Sequence, residues 1–499
     1  MRLLPASPRL LFWGCWIALV TTSFGFILRA LLMDTWAQEF HLTQTQKGEL
    51  FGVGLWPFAI SIIVFSLFID RIGYKTAMVF GFVCHITSLL LTINATGYDG
   101  LYWANFIVAL GNGTVEAYIN PVVATQFRTD KSRMLNVLHA GWPAGMVIAG
   151  LLAVGLGPQV AWQTRMLLLL APALIYVVIL IFQEFPINER VAAGVPYRDM
   201  LAEVGALGAF LIVWMMAAEL IRTLVPMSSA LHEHAVMSGA AIAAVVAVVM
   251  YAAVRSLGRP LFIMLLLLMV PLATTELGID SWVADLMKPI LGGNGIWVLI
   301  YTASVMMVLR FCAGPIVHRM SPLGTLAACS VLAVCGLVAL SYASGPVWVF
   351  AAATIYAVGK SFFWPTMLGV VSEQCPRGGA LTLNATGGMG MLGVGILGAM
   401  LLGNIQDRGV DRILSECAPQ VHQAVMVEHN GLLGRYRAVD DQRLAASSIA
   451  DSVTVFLATA QAKQEALRLV AVLPAIMFAA YLALALWFRR RGGYRSVTV

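Results

Sequence analysis

The chain has 499 residues, of which 60% are hydrophobic and 11% charged, against the roughly 25% charge that a soluble domain carries. Lipid has to solvate much of such a chain, which excludes a soluble globular protein. The formal net charge of +6 is scattered along the sequence, so nucleic acid is a poor candidate partner and the basic residues read as topology signals.

A membrane-crossing helix needs about 20 mostly apolar residues, and fourteen segments are predicted to serve. The first six are 10–33, 47–69, 75–94, 101–123, 134–157 and 166–182. Arg2 and Arg9 precede the first run, which is too long for a signal peptide and lacks a small-residue exit; it reads as a membrane helix with its N-terminus in the cytoplasm. After a polar stretch come 204–226 and 236–254, and then a last six at 260–283, 296–317, 323–342, 347–371, 380–402 and 469–487. The expected division is therefore a six-helix bundle over 1–183, a linker with two extra helices over 184–259, and a second six-helix bundle over 260–499 that includes a long outer loop, 403–468. Helices are expected in that loop over 440–468, where turn residues are few.

Basic residues support this threading. Arg71, Lys75, Arg128, Lys131, Arg133, Arg190, Arg198, Arg255, Arg259, Arg319, Arg377 and the tail arginines 489–491 and 495 fall on one side. The other side has few in its short loops, Lys47, Arg165 and Lys288. The positive-inside rule makes the first side cytoplasmic, with both termini there. The seven cysteines show no C-x-x-C spacing and read as small apolar residues. Glu219 and Arg222 in the extra pair lie three apart and read as a structural ion pair.

The two sets of six look duplicated. Asp34-Thr35-Trp36 is echoed by Asp280-Ser281-Trp282, and Leu135-Asn136 by Leu383-Asn384. Glu116 precedes Asn120-Pro121 as Lys360 precedes Trp364-Pro365. Parallel repeats of six helices are a transporter architecture. Each half also puts charge in the membrane: Arg29 and Glu116 in the first, Glu276 and Lys360 in the second. Such a charge costs about 2.5–3.5 kcal/mol on insertion scales and normally faces a cavity or a partner. Salt bridges that only hold helices together are the bland alternative, and Arg29 and Glu276, nearer the outer edge, could snorkel. Asn112, Asn120 and His139 add hydrogen-bonding capacity near Glu116. Gly359-Lys360-Ser361 is not a phosphate loop, because Thr354 stands where the first glycine belongs and the context is an apolar helix. With no nucleotide motif, energy should come from an ion gradient.

The segment Ser66-Leu67-Phe68-Ile69-Asp70-Arg71-Ile72-Gly73-Tyr74-Lys75 resembles the G-x-L-x-D-R-x-G-R-K loop of the major facilitator superfamily. Asp70, Arg71, Gly73 and Lys75 match, while Ser66 and Tyr74 depart from it. In that family the loop latches the cytoplasmic gate; Asp70 is expected to face the positive end of a neighbouring helix. The second copy, Gly314 to Arg319, is degraded, with His318 in the aspartate's place. The stretch Gly111-Asn112-Gly113-Thr114-Val115-Glu116-Ala117-Tyr118-Ile119-Asn120-Pro121 is similar to the fucose:proton symporter branch. There the matching glutamate binds sugar and an aspartate of the first helix, approximately matched by Asp34, takes part in proton coupling.

The resemblance implies an all-α membrane protein of the major facilitator fold, two six-helix bundles related by a pseudo-twofold axis, here with two extra helices. It implies a secondary active transporter, with proton-coupled uptake of a sugar or related polar metabolite by alternating access. Candidate substrate ligands are Glu116, Asn112, Asn120, Lys360, Trp364, His139, Arg29 and Glu276; Glu116 and Asp34 are candidates for proton coupling, and Asp70, Arg71, Gly73, Lys75 and Arg319 for gating. The partners expected are the lipid bilayer, a small solute and H+, in a monomer of a bacterial inner membrane, with no cofactor and no metal. An exporter is the alternative, but Gly141-Trp142-Pro143-Ala144-Gly145 fits the antiporter motif only in part. A membrane enzyme or sensor is a third reading, and no clustered catalytic motif supports an enzyme.

Overall fold

The computed structural model describes residues 7–42, 44–157, 159–226, 228–431 and 434–498. Among them eleven helices are long and apolar enough to cross a membrane. In chain order the principal elements are α1 (Pro8–Glu39), α2 (Gln46–Ile72), α3 (Tyr74–Ile93), α4 (Tyr98–Gln126), α5 (Lys131–Leu156), α6 (Trp162–Ile181), α7 (Tyr197–Leu224), α8 (Ala235–Val254), α9 (Pro260–Leu291), α10 (Ile296–Phe311), α11 (Pro322–Ser341), α12 (Pro346–Gln374), α13 (Gly379–Leu392) and α14 (Ala399–Cys417). A hairpin of β1 (Met426–Gly431) and β2 (Gly434–Val439) follows, and α15 (Ile449–Arg490) ends the chain.

Helices thus stand at all fourteen expected positions, but the count of fourteen crossings is not confirmed. Helix α4 carries Asn105, Asn112, Glu116 and Asn120 on its buried side, which lowers its hydropathy. Helix α10 is a shorter apolar helix, and α13 has 14 residues before a π-helical turn, Gly393–Gly398, leads into α14.

The stretch 403–468 departs from the expectation of helices alone. Strands β1 and β2 pair antiparallel, Met426 opposite Val439 and Glu428 opposite Arg437. Buried Val410, Ile413 and Leu414 of α14 meet Val425, Met426 and, from α15, Val455, Ala458 and Ala462. The loop is a small folded unit with its own apolar core, and the 440–468 stretch is helical as expected, from Asp441–Ala445 and the start of α15.

The extra helices α7 and α8 form an antiparallel pair in which Gly239 lies against Ala218. Gly205, at φ +60°, breaks α7, and the freed amides of Ala206 and Leu207 donate to the Ser256 and Leu257 carbonyls. Met237, Val245, Val248 and Val249 of α8 are exposed, as a lipid-facing helix requires. Glu219 and Arg222 pair at 3.8 Å, as expected.

Contacts between the two halves of the chain rely on small residues that let backbones approach. A side chain at Gly388 of α13 would meet Ile63 of α2 at 2.5 Å, and one at Gly369 of α12 would meet Ser132 of α5 at 2.4 Å. The seven cysteines are free thiols.

Candidate functional site

Asn112, Glu116 and Asn120 are spaced by four on α4, so they share one face, and all three are buried. Asn120 Nδ2 donates to Glu116 Oε2 at 2.5 Å, and its Oδ1 faces His139 Nε2 at 2.9 Å. An amide oxygen only accepts, so His139 carries its proton on Nε2. That nitrogen lies 4.0 Å from Glu116 Oε2. Asn112 instead accepts from His85 Nε2 at 2.9 Å, and His85 Nδ1 meets the Tyr176 hydroxyl at 3.2 Å.

The second half supplies two ion pairs. Arg310 Nη2 donates to Glu276 Oε1 at 2.6 Å, with both groups almost wholly buried. Lys360 pairs with Asp280 and lies over the Tyr356 ring, 5.1 Å from its centroid. Glu276 Oε2 also accepts from the Trp364 amide at 3.1 Å, a free donor at the start of the helical segment Phe363–Gln374.

Prolines and a π-turn decide where backbone acceptors face this region, because a proline leaves the carbonyl four residues before it without its helical donor. Pro143 frees the His139 carbonyl and Pro365 frees that of Ser361; Arg310 takes both, with Nη1 at 2.9 Å and Nε at 2.6 Å. Pro121 frees the Ala117 carbonyl, which accepts from Asn384 Nδ2 of α13 at 2.9 Å. The π-turn Thr274–Gly278 that carries Glu276 exposes the Thr275 carbonyl to the Tyr356 hydroxyl at 2.6 Å.

Glu116, His139 and Trp142 of the first half and Glu276, Arg310, Trp364 and Met391 of the second line one narrow cavity. Of the expected ligands, Glu116, Asn120, His139, Glu276 and Trp364 therefore come together. Lys360 does not meet Glu116: Asp280, one turn beyond Glu276 on α9, holds its ammonium. Neither Glu276 nor Arg29 snorkels, since both are buried. Arg29 and Asn112 line a neighbouring cavity. Asp34 lies apart from the cluster, its side chain 79% exposed and paired with Lys47 at 2.7 Å. Arg310 and Asp280 escaped the sequence reading. Arg310 sits near the end of its apolar run, where a positive charge reads as a topology signal, and Asp280 read only as an echo of Asp34.

The major facilitator superfamily model matches residues 15–399. The chain belongs to that superfamily. A riboflavin transporter from Saccharomyces cerevisiae is 28% identical over 139 residues, which are 27% of this chain and 26% of that protein. The chain thus matches only about a quarter of that relative's length. Three solved structures share the fold at low identity. The human organic anion transporter TETRAN superposes with a TM-score of 0.60 at 13% identity, over 96% of this chain and all of that one, 100%. A bacterial homologue of the human lysosomal transporter Spinster gives 0.58 at 14%, over 95% and 96%. The fucose:proton symporter of E. coli gives 0.54 at 14%, over 94% and 98%. The chain is a multi-pass membrane protein of the major facilitator fold.

The superfamily loop between α2 and α3 turns at Gly73, where φ is +84° and a side chain would be strained. Asp70 accepts from Arg190 Nη2 at 2.7 Å, so a guanidinium takes the place expected for a helix end. Arg190 also donates to the Val195 carbonyl at 2.6 Å and packs on Gly379 at the start of α13, in the second half. Arg71 stacks over Tyr197 at 5.1 Å, and Lys75 Nζ reaches the Ile181 carbonyl at the end of α6, 3.0 Å away. Arg319 is exposed and makes no ion pair among the described residues, and the His318 side chain lies outside them. Gly314, which opens the degraded copy, is covered by Arg133 of α5.

Proposed function

We propose that this transporter takes up a sugar or related polar metabolite together with a proton, by alternating access of the central cavity to either side of a bacterial inner membrane, as a monomer with both termini in the cytoplasm. The six-helix units 1–183 and 260–499 move about the cavity, 184–259 with its extra helices stays peripheral, and the loop of Asp70, Arg71, Gly73 and Lys75, aided by Arg319, gates the cytoplasmic end. The observation that carries the reading is the setting of Glu116. Glu276 and Asp280 each have a fixed cation, Arg310 and Lys360. Glu116, only 3% exposed, has the neutral amide of Asn120 and a histidine 4.0 Å away. A buried carboxylate needs a counter-charge or a proton, and a proton from the gradient can come and go where a fixed arginine cannot. Asn120 and His139 join Glu116 in one hydrogen-bonded chain that holds its carboxyl group in place. Asp34, solvated and paired with Lys47, is left an entry role at the outer end. The sugar assignment leans on the 111–121 motif and on the fold shared with a fucose:proton symporter.

In proteoliposomes with an imposed proton gradient, Glu116→Gln is expected to abolish uphill accumulation while solute exchange persists, because the amide keeps the shape but releases no proton. Accumulation by Glu116→Gln with unchanged pH dependence would remove the proton role.

A further inference from the structure

Arg29 is a buried cation that neither ion pair of the cavity uses. Its side chain lies in α1, 7% exposed. Nη1 donates to the Gly25 carbonyl at 3.1 Å and Nη2 to Ser88 Oγ at 2.8 Å, and Nε has no partner. Ser88 is a true acceptor here, because its own proton goes to the Ala104 carbonyl at 2.6 Å. Both partners are neutral, and no carboxylate among the described residues pairs with Arg29. A guanidinium does not shed its proton in a protein, and a buried charge without a counter-charge is costly. The fold nonetheless makes room for this one: a methyl group at Gly25 would lie 2.8 Å from Arg29 Nη1. A permanent charge so placed needs an anion that is not part of the chain.

The space beside it shows what kind of anion fits. Arg29, Asn105 and Asn112 line a narrow cavity together with Phe26 and Phe51. Phe26, Phe51 and Leu55 are shared with a second small space, which adds Trp142, Leu277 and Met391. Those last three are shared in turn with the narrow central cavity at Glu116 and Arg310. Through these shared walls the three form one continuous row of small spaces. It is polar at both ends and apolar between them, where the Phe26 ring lies 6.1 Å from that of Phe51 and 5.8 Å from that of Trp142.

We propose that the transported metabolite is an organic anion, its acidic group held by Arg29 beside Asn112 and its less polar body lying along Phe26, Phe51 and Trp142 towards Glu116. The proposal rests on the transporter reading above and narrows its solute to one with a negative charge. A guanidinium matches a carboxylate with two parallel hydrogen bonds; a neutral sugar would leave Arg29 uncompensated and set its hydroxyls against aromatic walls.

The test is the melting of the purified full chain with paired probes of one skeleton: benzoate and benzamide, phenylacetate and phenylacetamide, nicotinate and nicotinamide, gluconate and glucose. Acids are expected to raise the melting temperature where their neutral counterparts do not. Arg29→Gln should weaken acid binding roughly tenfold or more, as loss of a charge-assisted pair implies, and Arg29→Lys should restore part of it. Equal stabilisation by neutral counterparts, stabilisation by no acid in the panel, or undiminished acid binding by Arg29→Gln each overturns the proposal. If Arg29→Gln does not fold, the acid–neutral comparison on the unaltered chain and Arg29→Lys still decide. Failure here leaves the proton role of Glu116 standing, whereas acid binding through Arg29 with normal accumulation by Glu116→Gln would remove the proton role alone.

Discussion

Arg310 takes its three acceptors from three different places: the Glu276 carboxylate, the His139 carbonyl freed by Pro143, and the Ser361 carbonyl freed by Pro365. It ties α9, α10 and α12 to α5 of the other half and fixes the wall opposite Glu116. Removing one partner of a buried ion pair leaves an uncompensated charge, at about 3–5 kcal/mol. Arg310→Met is therefore expected to lower the melting temperature sharply and to abolish transport. The double variant Arg310→Met/Glu276→Met should regain much of the stability, since a buried pair replaced by apolar groups is often neutral, yet remain inactive. Thermal melting and proteoliposome uptake on the same preparations check both; an unstable double variant would mean that the carbonyl contacts, not the charge, carry the loss. At this scale the sequence showed that Glu116, Glu276 and Lys360 lie inside apolar runs, and each proved buried. It did not show the pairing. Which carboxylate meets which cation depends on helix rotation, and Asp280 lies close enough to Lys360 to capture it before Glu116 can.

Helices in this protein are interrupted where they carry the candidate residues. Helix α9 passes through a π-turn at Glu276, α12 breaks after Lys360, and α2 ends at Gly73 after the Asp70–Arg190 pair. The prolines mark two of the freed carbonyls that Arg310 binds, and these are readable in the sequence. The π-turn itself holds no proline, though Pro271 lies three residues before it. The strand pair at 426–439 was missed although Tyr436 alternates with Arg435 and Arg437; so short a period-2 pattern is hard to separate from loop. Arg190 was counted only as a cytoplasmic charge, because its meeting with Asp70 spans 120 positions. Gly73→Ala is a clean probe of the loop. At φ +84° a β-carbon brings strain of about 1–3 kcal/mol, with open space around it, so sterics with neighbours add nothing. A fall in melting temperature of that order is expected, and an unchanged one would mean that the turn relaxes to negative φ and that Asp70 and Arg190 do not depend on it.

For the whole molecule the question is what holds the two halves together at the end that carries the Asp70 loop. Glu373 of α12 is a meeting point there. Its Oε1 accepts from Ser132 Oγ at 2.5 Å and from the Ser132 amide at 3.2 Å, both on α5 of the other half. Its Oε2 accepts from the Tyr494 hydroxyl at 2.7 Å, and its carbonyl from the Val497 amide at 2.8 Å, so the C-terminal tail is tied to the same spot. Lys131 adds a pair with Glu189 at 2.6 Å. Under alternating access the bonds between Ser132 and Glu373 would break each time the cavity opens at this end. Cys375 can report the opening: it is 1% exposed in this arrangement and lines the space between Pro121, Lys131 and Gly379. With the exposed Cys312, Cys335 and Cys417 replaced by serine, a soluble maleimide should label Cys375 slowly in the parent. Glu373→Gln keeps the shape but removes the charge from the hydrogen bonds with Ser132, a loss of about 1.5 kcal/mol and so roughly tenfold in the closed-to-open ratio. Cys375 labelling, followed by mass spectrometry of its peptide, should accelerate by about that factor, and Ser132→Ala should move it the same way by less. Unchanged labelling in Glu373→Gln would show that close packing of Gly369 on Ser132 closes this end and that the carboxylate contributes little.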